Sequence, residues 1–196
     1  MNRRWLSSAL YAVAALLVVL GVIWPLWRTL LYFPQYPEGP LQVVAYAGAL
    51  KGDLAELETL NHYIGVSFPT NVPELVVVPK LLYGVAALGL VAGLLRGRPG
   101  LWLKGATVGA LGGSLGWALW RVNFYLTDFG ANPDPNAPLN DLIKPFKPPL
   151  WGEAVIVQVR AVAEFLSGTY FLALAGALFV LGFWLALRQN RTTKTN

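Results

Sequence analysis

Long apolar runs, separated by short polar connections and two longer mixed segments, organise this chain. The runs cover 5–31, 75–95, 101–125 and 160–187. A helix needs roughly 20 residues to cross a hydrocarbon core, and in lipid each backbone N–H and C=O must be satisfied within the spanning element. The pattern therefore predicts an all-α integral membrane protein, a bundle of four transmembrane helices forming one membrane domain over 1–196. The segments 32–74 and 126–159 are too long to be simple connectors. They predict a small extracytoplasmic cap made of a short strand, a short helix and a proline-rich loop.

Within the first cap segment, Phe33 to Pro40 carries the prolines and glycine of extended and turn structure. Leu41 to Tyr46 then reads as a strand. Asp53 is placed to cap a helix, with Glu56 in capping-box spacing, and Leu54, Leu57, Leu60 and Ile64 form its apolar stripe. Gly65 supplies a C-terminal cap. The second segment is stiffened by the prolines between Pro133 and Pro149, each fixing φ and withholding an N–H. Its acidic residues, Asp128, Asp134, Asp141 and Glu153, lack the spacing of a calcium loop and read as solvated turn residues.

Charge sets the orientation. Arg3, Arg4, Arg96, Arg98, Lys104, Arg188, Arg191 and Lys194 crowd three short segments, while the other seven basic residues spread over two long loops. By the excess of Lys and Arg in short cytoplasmic connections, both termini are expected in the cytoplasm, as a multi-pass protein of the cell membrane. The first run, longer than a signal-peptide core, predicts a retained helix, kinked modestly by Pro25. The net charge of +5 is accounted for by these flanks, so no nucleic-acid partner is expected. Arg28, Lys80, Arg121, Asp128, Arg160 and Glu164 fall near the outer boundary, with Arg160 and Glu164 expected to pair one helical turn apart.

Composition removes whole classes of chemistry. There is no Cys, the one Met is Met1 and the one His is His62. Thiolate metal sites, attached haem and multi-histidine centres cannot be assembled from one copy of such a chain. No intrinsic cofactor is expected. The chain also offers no Ser/His/Asp set, phosphate loop or pair of buried carboxylates, and so reads as non-catalytic. A quinol-handling enzyme built on His62, or a transporter without mid-membrane polar groups, is correspondingly disfavoured. His62, flanked by Asn61 and Tyr63, reads first as a structural hydrogen-bonding residue and second as a metal ligand.

Gly105, Gly109, Gly112, Gly113 and Gly116 put small residues at four-residue spacing along the third run. Such faces let a neighbouring helix approach closely in a membrane. They are expected to pack inside the bundle or, alternatively, against another membrane subunit.

The cap residues Gly52-Asp53, Leu60-Asn61-His62-Tyr63-Ile64-Gly65, Gly130, Asn132, Asp134-Pro135, Ala137-Pro138, Pro145-Phe146, Pro148-Pro149-Leu150 and Gly152 resemble a family of small four-helix membrane proteins. That family accompanies nitrous oxide reductase maturation and related denitrification systems, including nitric oxide reductase. Where the family pattern carries Met, His and Leu, this chain has Val66, Ala131 and Pro133. The resemblance implies a non-catalytic accessory subunit or assembly factor with another membrane respiratory subunit as partner. Its cap motif would comprise Asn61, His62, Tyr63, Gly65, Asn132, Asp134 and Pro135. The alternative is extracytoplasmic copper handling through His62. The softness of Cu(I), which prefers thiolate and thioether ligands, disfavours it here.

Overall fold

The computed structural model describes residues 3–34, 36, 38–64, 72, 74–131, 146–156 and 158–192. In chain order its elements are α1 (Arg3–Ile23), β1 (Trp27–Tyr32), β2 (Leu41–Ala45), β3 (Leu50–Gly52), α2 (Leu54–Ile64), α3 (Glu74–Leu94), α4 (Gly97–Ala131), β4 (Gly152–Ile156), β5 (Val159–Phe165) and α5 (Ser167–Thr192). The strands form one antiparallel sheet in the order β3-β2-β1-β5-β4. The expectation of an all-α bundle is therefore wrong: the fold is a helical bundle with a five-stranded sheet at one pole.

The error has a local cause at both central strands. The first apolar run does not continue to residue 31. The amide of Trp24 makes the last helical hydrogen bond, to Leu20 O at 3.0 Å. Pro25 has no N–H to offer, so instead of kinking the helix it marks where the helix has ended. Leu26 N already bonds to Ala45 O, at 2.8 Å. From Trp27 onward the side chains alternate, Thr29 facing inward and Arg28 outward. The last run divides in the same way, with Arg160, Val162 and Glu164 on one face of β5 and Ala161 and Ala163 buried on the other. Strand β1 pairs with β5 from Trp27↔Phe165 to Tyr32↔Arg160. Only after Leu166 does the chain turn helical.

Sheet and bundle are stitched where these strands meet their helices. Leu26 O accepts from Leu166 N at 2.9 Å and from Thr169 Oγ1 at 2.6 Å, while Gly168 N donates to Pro25 O at 2.9 Å. A Cβ at Gly168 would stand 2.6 Å from the Trp24 carbonyl oxygen, so the junction admits only glycine. In α3, Pro79 withholds the N–H that would have bonded Leu75 O. That end of α3 lies against Gly48 in the β2–β3 turn.

The sheet's inner face and α2 enclose a small core of Phe33, Leu41, Val43 and Leu57. Strand and helix here match the sequence expectation. Asp53, however, divides its work differently: its carbonyl accepts from Leu57 N (3.1 Å) as an N-cap does, while its carboxylate accepts from Gln42 N at 2.8 Å. Gly52 has φ +115° and its Cα faces the Gln42 carbonyl oxygen, a position closed to any side chain.

The larger core lies among α1, α3, α4 and α5, centred on Tyr11, Val18, Leu82 and Phe179. Among the described residues three helices are long and apolar enough to cross a membrane: Trp5–Ile23, Glu74–Leu94 and Ser167–Asn190. This is a membrane protein by that measure. At 35 residues α4 has ample length, but its glycines, Trp102, Trp117 and Trp120, together with Lys104, Arg121 and Asp128, dilute its apolar content. The expected fourth crossing falls away. With it goes the expectation that both termini face the cytoplasm, since three crossings is an odd number.

Candidate functional site

Asn61, His62 and Tyr63 stand in the last turn of α2, and their side chains lie outside the described residues. So do Gly65, Asn132, Asp134 and Pro135. Among the described residues no three His, Cys, Asp or Glu side chains gather closely enough to hold a metal ion.

The five glycines of the sequence expectation, Gly105, Gly109, Gly112, Gly113 and Gly116 in α4, are fully described, and they divide. Gly105 meets the Phe183 ring of α5, 3.4 Å from where a Cβ would sit. Gly109, Gly112, Gly113 and Gly116 are exposed, and a Cβ on any of them would meet nothing within 4 Å. These four fall within an arc about 100° wide on a helix of 3.6 residues per turn. Beside them Leu119, Trp120 and Phe124 are also exposed. Close contacts inside the bundle are made by other glycines: Gly21 against Leu172, Gly89 against Phe179, and Gly93 and Gly182 against Tyr11. Of the two packing alternatives for these glycines, Gly105 meets a helix of the same chain, and the other four meet no neighbour among the described residues.

Two polar clusters were not anticipated from sequence. Tyr11, fully buried, donates from its hydroxyl to Lys104 O at 2.9 Å and meets Phe179 with ring centroids 4.9 Å apart. Ser7 Oγ donates to Gly182 O at 2.9 Å, Thr107 Oγ1 to Leu103 O at 2.9 Å, and the Lys104 ammonium lies over the Tyr11 ring, 5.6 Å from its centroid. The Tyr11 and Ser7 hydroxyls, satisfied by backbone carbonyls, brace α1 to α4 and α5, and that of Thr107 is satisfied within α4. The second cluster ties α4 to the start of α3. Arg121 pairs with Glu74 and donates to Tyr125 Oη at 3.0 Å, and Tyr125 in turn donates to Glu74 Oε2 at 2.8 Å. Arg121 and Tyr125 are four residues apart on one helix face, a spacing readable in sequence; their acidic partner is long-range and is not.

On the sheet's outer face the expected Arg160–Glu164 pair does not form, because these residues lie on a strand where four residues span about 13 Å. Arg28 pairs across the ladder with Glu164, opposite it in register. Arg160 donates to both oxygens of Glu153, at 2.5 and 2.8 Å, and its guanidinium covers the Tyr32 ring. That fork of hydrogen bonds holds the Glu153 carboxyl below the usual carboxylate range and raises Arg160. These pairs are consumed by one another. They fasten strands together and present no converging acid, base and nucleophile. Comparison with protein families and with curated proteins gives no match for the chain.

Proposed function

We propose that the protein is a non-catalytic accessory subunit or assembly factor of a membrane respiratory system, of the nitric or nitrous oxide reductase kind used in denitrification, and that it docks on its partner through the glycine face of α4. One observation carries the docking: Gly109, Gly112, Gly113 and Gly116 form an exposed face that nothing among the described residues fills. Small residues at four-residue spacing let a second helix approach closely enough for extended van der Waals contact, and this supports reading the open glycine arc as a surface for another helix. The respiratory assignment is supported by the resemblance of the cap residues around Gly52-Asp53 and Asn61-His62-Tyr63.

Purification of the tagged protein in mild detergent, followed by mass spectrometry, tests the reading. A membrane respiratory subunit co-purifies with the wild type and is lost from Gly112→Leu and Gly116→Leu proteins. A solitary protein whose deletion strain keeps normal oxidase and nitrogen-oxide reductase activities would refute it. Copper retention by wild type and His62→Ala, measured on the same preparations, separates the copper-handling alternative: a His62-dependent copper content would favour it.

A further inference from the structure

A groove of about 460 Å³ runs between α3 and α4. Its floor is set by Gly84 and Gly113, neither of which would bring a Cβ within 4 Å of another group. Leu88 lies toward one end, and Lys80 and Trp117 stand at the other. From Lys80 to Leu88 it follows the helix axis for about 12 Å. Its lining is aliphatic apart from Ser114, the Trp117 ring and the Lys80 ammonium.

Lys80 is the informative residue. It lies inside one of the three apolar helices, about 9 Å along the axis from Glu74. A cation at that depth is costly unless it pairs or reaches the interface. The one acidic residue of the same helix, Glu74, is already held by Arg121 and Tyr125. Among the described residues Lys80 takes part in no ion pair. An anion is therefore wanted at the headgroup end of an apolar slot, within reach of a side chain that snorkels toward the sheet pole. A polypeptide helix would leave that ammonium unpaired unless it brought its own carboxylate. A lipid supplies both halves at once.

We propose that this groove is a binding site for an anionic phospholipid, its phosphate on Lys80 and one acyl chain laid along the slot between Gly84 and Gly113. The headgroup sits beside Trp117, at the depth where amphipathic rings prefer to lie. The groove shares Gly113 with the α4 glycine face, but it is tested at Lys80 and Gly84 of α3 whereas partner docking is tested at Gly112 and Gly116, so the failure of one reading is distinguishable from that of the other.

Native mass spectrometry of the full-length protein in mild detergent, titrated with phosphatidylglycerol or phosphatidylcholine, decides it. The wild type retains one phosphatidylglycerol with about fivefold preference, the effect of one basic residue near a lipid phosphate. Lys80→Gln abolishes the preference, Gly84→Leu fills the slot and abolishes retention, and Lys51→Gln, a charge control on the sheet, behaves as wild type. The proposal is overturned by a wild type that does not discriminate the two lipids, by a Lys80→Gln protein that still does, or by undiminished retention in Gly84→Leu. Loss of a co-purifying polypeptide from Gly84→Leu, with lipid retention unchanged, would give the groove to that partner instead.

Discussion

Gly21, Gly89, Gly93 and Gly182 of α1, α3 and α5 and Gly109, Gly112, Gly113 and Gly116 of α4 carry the same small-residue signal and meet opposite surroundings. A Cβ on Gly89 would lie 2.7 Å from Phe179 Cζ, and one on Gly182 would lie 2.8 Å from the Tyr11 ring; from Gly109 to Gly116 the same atom meets nothing within 4 Å. In the first set a neighbour's side chain fills the space left by the missing one. In the second the space is still open. Small-residue spacing announces that close approach is possible. Which helix makes the approach, or whether it belongs to the same chain, depends on which residues of α4 are turned to α5: Gly105 meets Phe183 and Leu111 meets Gly176, while the other four glycines are left open.

The comparison is broken most directly by filling both kinds of position. Gly182→Leu drives a branched side chain into Tyr11, a fully buried ring fixed by its hydrogen bond to Lys104 O. Overpacking of this kind costs about 3 kcal/mol. Gly112→Leu and Gly116→Leu project into open space and stay within about 0.5 kcal/mol of wild type. Reversible unfolding in mixed detergent micelles measures both. If the α4 variants lost as much stability as Gly182→Leu, the open face would in fact be filled within the folded chain.

A smaller effect sharpens the account of the filled set. Tyr11→Phe keeps the Cβ that faces Gly93 and the ring that faces Gly182 and removes only the hydroxyl that donates to Lys104 O. The carbonyl keeps its place in a helix, so the loss is one net hydrogen bond, about 1 kcal/mol. The same unfolding assay checks it. A cost as large as that of Gly182→Leu would mean that the hydroxyl, rather than ring against glycine, holds α1 in place.

How much of this was readable follows from where periodicities change. The alternation of Leu41 to Tyr46 and the helix following Asp53 stood alone between turn residues, and both appear as β2 and α2. Strands β1 and β5 were hidden because each abuts an apolar helix, so that strand and helix merge into one unbroken run. The outward charges Arg28, Arg160 and Glu164 were the available signal, since alternate residues of one sign of polarity are a strand's mark. Read at helical spacing, they gave a false pair. The α4 glycines were legible as a candidate surface, with packing in the bundle and docking on another subunit both left open. The cap motif around His62 was legible only through resemblance, and its side chains lie outside the described residues.

The smallest effect belongs to the sheet's outer face and tests whether the strands there are held by charge. Arg160 donates to both Glu153 oxygens, which depresses that carboxyl in the folded protein. A carboxyl whose pKa is lower folded than unfolded contributes stability that is fully present above the unfolded value, near pH 4.3. That contribution is lost as pH falls through the lowered folded value. Both side chains are about half exposed, so the contribution is slight and screened by salt. Wild type and Glu153→Gln, unfolded at pH 7 and pH 3 in low salt, differ at pH 7 and converge at pH 3, because the variant lacks this one titration while every other carboxyl titrates in both. An unchanged difference between the two proteins across that range would show that the β4–β5 pairing rests on its backbone ladder, from Gly152↔Ala163 to Ile156↔Val159, and owes nothing to the Arg160 fork.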